Sequence, residues 1–309
     1  MPKFSVVISV FNKDKYIAET LKSVLAQTFT DFEVVILNDG STDNSEAEIA
    51  KFDDPRIRYF SQHNQGAGAA RNAAIAKARA EYIALLDADD HWYPYYLEEQ
   101  NRLITEFPAQ SVFATATELK RNGKTFKNSY SIKTIAANAV VVDYFEASQL
   151  DSVLLSISTV VKKKVLQEVG GYDPAIRSGE DTDLYVRIGL KYKVVFSPKV
   201  CATYIVRKNS LFQSVNKITD KATFEPYEKH EKDHPALKKF LDLNRYSLCI
   251  FAKMQGDKKA FEKFYQKIDK DNLSKKQQFL LRQNKTILKY LSKTKNSLEK
   301  LGLRLGTFK

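Results

Sequence analysis

The sequence predicts an α/β protein: a mainly parallel sheet with helices on both faces, continued by a mostly helical C-terminal extension. Three observations carry that prediction. Short apolar runs alternate with helical patterns through the first hundred residues. Those runs are continuous, as strands covered on both faces are, and do not alternate apolar with polar. Beyond residue 215 the chain turns Lys-rich, Gly-poor and helical in pattern.

SVVISV (Ser5–Val10) is β-branched and unbroken, which reads as a buried strand. Ile17, Leu21, Val24 and Leu25 then share one face of a helix. EVVIL (Glu33–Leu37) is a second buried strand, ending in the turn-rich NDGSTDNS. Ser45 and Glu48 have capping-box spacing, which predicts a helix from there through Ile49 and Phe52. Ile57–Phe60 reads as a short third strand, and an alanine-rich helix near Ala69–Ala80 leads into a fourth, Tyr82–Leu86. The middle, Glu99–Val200, carries a helix near Tyr95–Phe107, strand-like segments around Val112–Thr117 and Val140–Val142, and a helix near Lys162–Val169. GGYDPAIRSGEDTDLYVRIG follows, with Asp181 opening an amphipathic helix that bears Leu184, Ile188 and Leu190.

The 309 residues allow about two domains. Cys201 and Cys249 are far apart and lack metal-like spacing, so a disulfide framework is excluded and a reducing compartment is expected. The apolar run in MPKFSVVISVFNKD is too short for a secretory signal, and no stretch has the ~20 apolar residues of a membrane span. A cytoplasmic location is the expectation. The net charge of +12 is uneven: residues 1–215 hold 26 basic and 26 acidic side chains, residues 216–309 hold 23 and 11. The whole excess therefore sits in the extension, which points to a separate role for it.

In parallel sheets ligands bind beyond the carboxyl ends of the strands. Ser9–Asn12, Asn38–Asp43, Gly66–Arg71 and Asp87–Asp90 are all expected there. In YIALLDADDHWYP, Asp87, Asp89 and Asp90 follow a buried strand within four residues. One acid would cap the next helix; three favour Mg²⁺ or Mn²⁺, held by a few carboxylates with substrate phosphates completing the shell. QGAGAARN has G-x-G, but Arg71 replaces the third glycine and the segment follows the third strand, so a nicotinamide site is discounted. Arg71 at a helix start suits a diphosphate or, equally, a surface ion pair. Asp39 is either a turn former or an acceptor for a base N–H. GEDTD supplies Glu180, Asp181 and Asp183, of which Asp181 is a candidate general base if the fold brings it to the acid triplet.

Taken together, SVVISVFNKDKYIAETLKSVLAQTF, EVVILNDGSTDNS, NQGAGAARNAAI, YIALLDADDHWYP and VGGYDPAIRSGEDTDLYVRI resemble the inverting family 2 glycosyltransferases of GT-A fold, over roughly residues 4–210. The resemblance implies a GT-A domain over 1–215, with a nucleotide-sugar half (1–98) and an acceptor half (99–215), followed by the basic extension 216–309. It implies that Ser9 and Phe11 line the nucleotide pocket, that Asp39 bonds the uracil and that Arg71 lies near the diphosphate. Asp87 and Asp89 match the D-x-D motif, Asp87 toward ribose and metal and Asp89 as the main metal ligand, with Asp90 supporting them. Asp181 matches the catalytic aspartate and Glu180 flanks it. Where the family often carries a metal-binding His, YIVRKNSL places Asn209 two residues after Arg207, leaving the third ligand open. The implied reaction is metal-dependent inverting transfer from a UDP-hexose or UDP-N-acetylhexosamine to a hydroxyl of a bacterial surface glycan or lipid-linked glycan.

Two other classes compete. A haloacid-dehalogenase-type phosphatase also places D-x-D after an apolar strand, though near the chain start. A catalytically inactive nucleotide-sugar-binding or scaffold protein would not need Asp87, Asp89 and Asp181 together. In the tail, Ile287, Leu291, Leu298, Leu301 and Leu305 recur near helical spacing among lysines. They form either a helix packed on the catalytic unit or an interfacial helix drawn to anionic lipid, which would make the protein peripheral on the inner face of the membrane. Nucleic acid is not an expected partner, because no recognisable module accompanies the charge.

Overall fold

The computed structural model describes residues 1–132, 138–206 and 218–300. Its strands are β1 (Phe4–Val10), β2 (Phe32–Asn38), β3 (Ile57–Ser61), β4 (Tyr82–Asp87), β5 (His91–Trp92), β6 (Val112–Arg121), β7 (Lys124–Lys127), β8 (Val140–Val142), β9 (Thr159–Lys162) and β10 (Val194–Ile205). They form one sheet ordered β3-β2-β1-β4-β9-β6-β10-β5, with β7 paired to β6 and β8 to β10. The first four strands run parallel, and β1 lies between β2 and β4 in a register that sets Ser9 beside Leu37 and Asp87. β9 inserts antiparallel between β4 and β6, and β10 returns parallel to β6.

Successive side chains of a strand point to opposite faces. Val6, Ile8, Val34, Ile36 and Leu86 accordingly enter one core with helices Ile17–Leu25 and Tyr96–Glu106. Val7, Val35, Leu37, Ile83 and Leu85 enter the other, with helices Ala67–Lys77, Lys163–Val169 and Glu180–Gly189. Both faces are covered, which is why the strands read as unbroken apolar runs.

The C-terminal helices enlarge the second core. Helix Pro235–Gln255 buries Leu237, Phe240 and Leu241 there, and the Phe240 ring lies 5.2 Å from Tyr144 and 5.6 Å from Phe145. Helices Lys258–Tyr265, Lys275–Arg282 and Lys285–Lys300 follow. In the last of these, Leu288 is buried and Leu291 packs on the core, while Ile287 and Tyr290 face solvent. The apolar stripe is thus divided between packing and exposure; Leu301, Arg304 and Leu305 lie outside the described residues. Among the described residues no helix is long and apolar enough to cross a membrane.

Three local features differ from the sequence pattern. β9 is only four residues long, too short to separate from the helix that follows it. β10 carries Pro198, and its pairing with β6 shifts register between Ser197 and Val200 and again before Ala202, so the apolar run is broken by bulges. The capping box at Ser45 and Glu48 does not form, and the helix is short, Ser45–Ile49. The Ser45 hydroxyl instead donates to Asp43 Oδ1 (2.6 Å) and accepts the Lys13 backbone N–H (2.8 Å), because the loop after β1 competes for it.

Candidate active site

The loops at the carboxyl ends of β1, β2 and β4 meet in one cleft of about 580 Å³, within the size range of small-molecule sites. The first two loops are stitched together. Asn12, at φ 53°, donates its N–H to Ser41 Oγ (3.0 Å), its side-chain oxygen accepts from Thr42 N (2.8 Å), and Asp14 N donates to Asp43 Oδ2 (3.0 Å). Gly40, at φ +73°, has no substitute, since a Cβ there would lie 2.8 Å from the backbone nitrogen of Asn64.

Asp39 is buried and organises the next loop. Its carboxylate accepts from Gln62 Nε2 (2.7 Å), Gln65 N (3.0 Å) and Gly66 N (2.9 Å). It holds Gln62–Gly66 against the end of β2 and places the N-terminus of helix Ala67–Lys77 at the cleft. Ser9 and the exposed Phe11 ring line the same end.

At the end of β4 the three acids part company. Asp87 Oδ1 accepts from Arg71 Nη2 (2.7 Å), and Asp89 Oδ2 lies 2.5 Å from Lys13 Nζ. Asp90 turns inward and is 2% exposed, its Oδ1 accepting the Ile205 N–H (2.8 Å) while Thr20 Oγ1 donates to its carbonyl (2.9 Å). Burial, with Asp87 and Asp89 beside it, pushes its carboxyl well above the usual carboxylate range, and its bond to Ile205 clamps the end of β4 to β10. Asp87 and Asp89 remain on the cleft wall. A pair of cleft-facing carboxylates suits Mg²⁺ or Mn²⁺ completed by phosphate oxygens; among the described residues no group of three acidic, His or Cys side chains would hold a metal alone. Arg207 and Asn209 lie outside the described residues.

Arg71 links the two acidic clusters that the sequence left far apart. Its side chain is 10% exposed, with Nη1 2.9 Å from Glu180 Oε1 and 3.7 Å from Asp181 Oδ1, while Nη2 holds Asp87. The guanidinium carbon lies 5.3 Å from the centre of the Tyr172 ring. Burial alone would lower its pKa, but Asp181 and Asp87 raise it, so Arg71 stays charged. Asp181, in the first turn of helix Glu180–Gly189, accepts from Ser156 Oγ (3.1 Å). Burial in the cleft wall lifts its carboxyl; Arg71 pulls it down, and Glu180 and Asp87 push it back up, to about 7. A carboxyl poised there both accepts and returns a proton at neutral pH.

Sequence reading did not find Lys13, Ser156 or Tyr172. Lys13 was visible in FNKDK after β1, but nothing there assigns it to Asp89; Ser156 and Tyr172 lie in segments without periodic signal. The far end of the cleft was also missed. It is walled by Lys221, Phe224, Asn244, Ser247 and Phe251, all from the C-terminal extension.

A sheet of this order, with D-x-D at the end of its fourth strand and a second acidic cluster opposite, defines the GT-A class of glycosyltransferase fold. The chain belongs to glycosyl transferase family 2, whose model matches residues 5–168. It is 29% identical over 218 residues to glycosyltransferase GlyA of Streptococcus pneumoniae serotype 4, covering 68% of this chain and 31% of that protein. To chondroitin synthase of Escherichia coli it is 25% identical over 247 residues, covering 74% and 34%. The chain spans about a third of the length of these two relatives. Among solved structures, S. aureus TarS 1–349 in complex with UDP-GlcNAc superposes with a TM-score of 0.67 at 22% identity, over 87% of this chain and 82% of that one. A mannosyltransferase from Pyrobaculum calidifontis, in complex with GDP-Man and Mn²⁺, gives 0.55 at 16% identity, over 97% and 87%. Both likenesses concern the fold.

Proposed function

We propose that this protein transfers a sugar from a nucleoside diphosphate sugar to an acceptor hydroxyl, with inversion at the anomeric carbon. The observation that carries this is the bridge through Arg71: D-x-D and a carboxyl with a pKa of about 7 lie in one cleft, tied by one guanidinium. Asp181 accepts the proton of the acceptor O–H as that oxygen bonds to the anomeric carbon. The bond to the diphosphate oxygen breaks on the opposite face, so one displacement inverts the centre. Ser9, Phe11 and Asp39 form the nucleotide end. Arg71 and Lys13 face the charge that grows on the departing diphosphate. Asp87 and Asp89 would hold a divalent cation, with Asn209 as a further candidate ligand; when bound, such an ion neutralises that charge. Uridine is the expected base, on the strength of the UDP-GlcNAc complex of TarS, and Mn²⁺ or Mg²⁺ the expected ion. Residues 1–98 serve the donor, and residues 99–215 with the extension serve a glycan or lipid-linked glycan. Family membership sets the phosphatase aside.

Thermal shift with UDP-sugars and Mn²⁺ tests this. With ligand at about 100 times its Kd, the wild type gains about 2.7 kcal/mol of stability. Asp89→Ala is expected to gain none, whereas an equal gain in the variant would remove the metal assignment. A wild type without any shift across a panel of nucleotide-sugars favours the inactive scaffold.

A lipid-linked acceptor also places the protein at a membrane. Phe279, Ile287 and Tyr290 are 56%, 41% and 70% exposed, and Lys275, Lys276, Lys285, Lys289 and Lys293 are exposed on the same two helices. We assign this basic, partly apolar surface to anionic lipid. Co-sedimentation with phosphatidylserine vesicles is expected and should fall steeply between 50 and 500 mM salt, at about 1 kcal/mol per engaged lysine; salt-independent or absent binding overturns it.

A further inference from the structure

A second, smaller cavity adjoins the cleft at Asp181. It is bounded by helix Glu180–Gly189, by the Ser148–Leu155 segment and by helix Pro235–Gln255 of the extension. Asp181, Thr182, Asn244 and Ser247 line both spaces, so Asp181 stands where the two meet. The walls differ in chemistry. The main cleft carries Lys13, Arg71, Arg177 and Lys221 beside its acids, whereas among the described residues the second cavity is lined by no Lys or Arg and by one carboxylate, Asp181. Its other polar side chains are neutral, among them Gln149, Ser152 and Thr182, set between apolar groups such as Leu155 and Phe240.

Asn244 and Ser247 occupy one helix face, three residues apart. Asn244 Nδ2 donates back to the Phe240 carbonyl (2.8 Å) and Ser247 Oγ to the Leu243 carbonyl (3.2 Å). Each bond engages one hydrogen, so Asn244 keeps its amide oxygen and a second N–H and Ser247 keeps its lone pairs, a set that can accept from and donate to hydroxyl groups. An anionic ligand would find no counter-ion among the described residues of this wall, and a cationic one only Asp181; a sugar ring offers hydroxyls to the polar groups and C–H faces to the apolar wall.

We propose that this cavity is the acceptor subsite and that it takes one uncharged pyranose ring, selected by Asn244 and Ser247 of the C-terminal extension. The space is small, so one ring enters and the rest of the acceptor leaves through the mouth, where Leu150 is 51% exposed. A hydroxyl of that ring lies beside Asp181, and the anomeric carbon of the donor approaches from the main cleft. The role rests on the glycosyl-transfer reading; the pocket's affinity for a neutral sugar does not.

Saturation-transfer NMR with a panel of methyl hexopyranosides, neutral and uronic, tests the pocket directly. At least one neutral glycoside is expected to receive saturation from the wild type and the uronates none. Asn244→Leu and Ser247→Val, each at a half-buried or exposed position outside the core, should each weaken its Kd by about three- to tenfold, the loss of one hydrogen bond. Circular dichroism confirms that the variants fold, and Gln255→Ala, exposed at the end of the same helix and lining neither space, serves as the comparison with binding kept within twofold (about 0.4 kcal/mol). No saturation by any neutral glycoside, preferential binding of uronates, or equal Kd in the Leu and Val variants overturns the proposal. Those outcomes leave the donor-induced thermal shift standing, whereas loss of that shift sinks the transfer reading and not the pocket.

Discussion

Asp181→Asn is expected to lower kcat by about 10²- to 10⁴-fold, the usual contribution of a general base, while the thermal shift with UDP-sugar and Mn²⁺ is kept. Asn matches Asp in shape and keeps an oxygen for Ser156, but it cannot take up the acceptor proton. The pH dependence identifies the group. With its carboxyl at about 7 in the free protein, wild-type kcat/KM rises as pH climbs through that value, because only the carboxylate is a base. The residual activity of the variant should lack this limb. Stability runs the other way. A folded-state pKa above the usual 3.8 means stability is fully present below about 4 and is lost as pH rises through about 7. Asp181→Asn should therefore melt higher than wild type at pH 8 and not at pH 4, an active-site residue held at a cost to stability. Near-normal turnover in the variant would sink the base assignment.

Arg71→Met should be the most damaging single change to the fold of the site. It leaves Asp87, Glu180 and Asp181 without the cation that holds them together. Breaking a buried ion pair on one side costs about 3–5 kcal/mol; Asp87 and Asp181 reach solvent, so about 3 kcal/mol is expected, or roughly 6–12 °C in Tm. The deficit should shrink as pH falls from 8 to 5. Without Arg71 the Asp181 carboxyl loses the cation that pulls its pKa down, and protonation of that carboxyl then favours the folded protein. Arg71→Lys should recover only part of the loss, since an ammonium cannot fork between Asp87 and Glu180. A Tm within 2 °C of wild type at pH 8 would show that the carboxyls are neutralised in some other way.

Arg71 also shows why the site was only partly legible. The sequence displayed each cluster, DADD after β4 and GEDTD before a helix, because acids at the end of a buried strand or in a first helical turn are local patterns. It led to the expectation of Arg71 near a diphosphate, which stays a proposal, but it carried no sign that the same guanidinium holds three carboxylates drawn from two segments. Asp39 is similar: it is legible as a turn residue, and its two oxygens prove to be engaged with the Gln62–Gly66 loop.

What the sequence by itself determined is whatever depends on near neighbours: the unbroken strands β1, β2 and β4, the helices that cover them, and the acids that must lie at strand ends once those strands form. What only the tertiary structure decided is whatever depends on partners far along the chain. The antiparallel insertion of β9, the bulged course of β10, the pairing of Lys13 with Asp89 and the wall that Asn244 and Ser247 give the cleft all belong there. The physical reason is range. Periodicity and capping act over one or two turns, but a carboxyl's pKa and a cavity's lining are set by groups within a few ångströms in space, here 109 residues apart in Arg71 and Glu180 and 115 in Asp90 and Ile205.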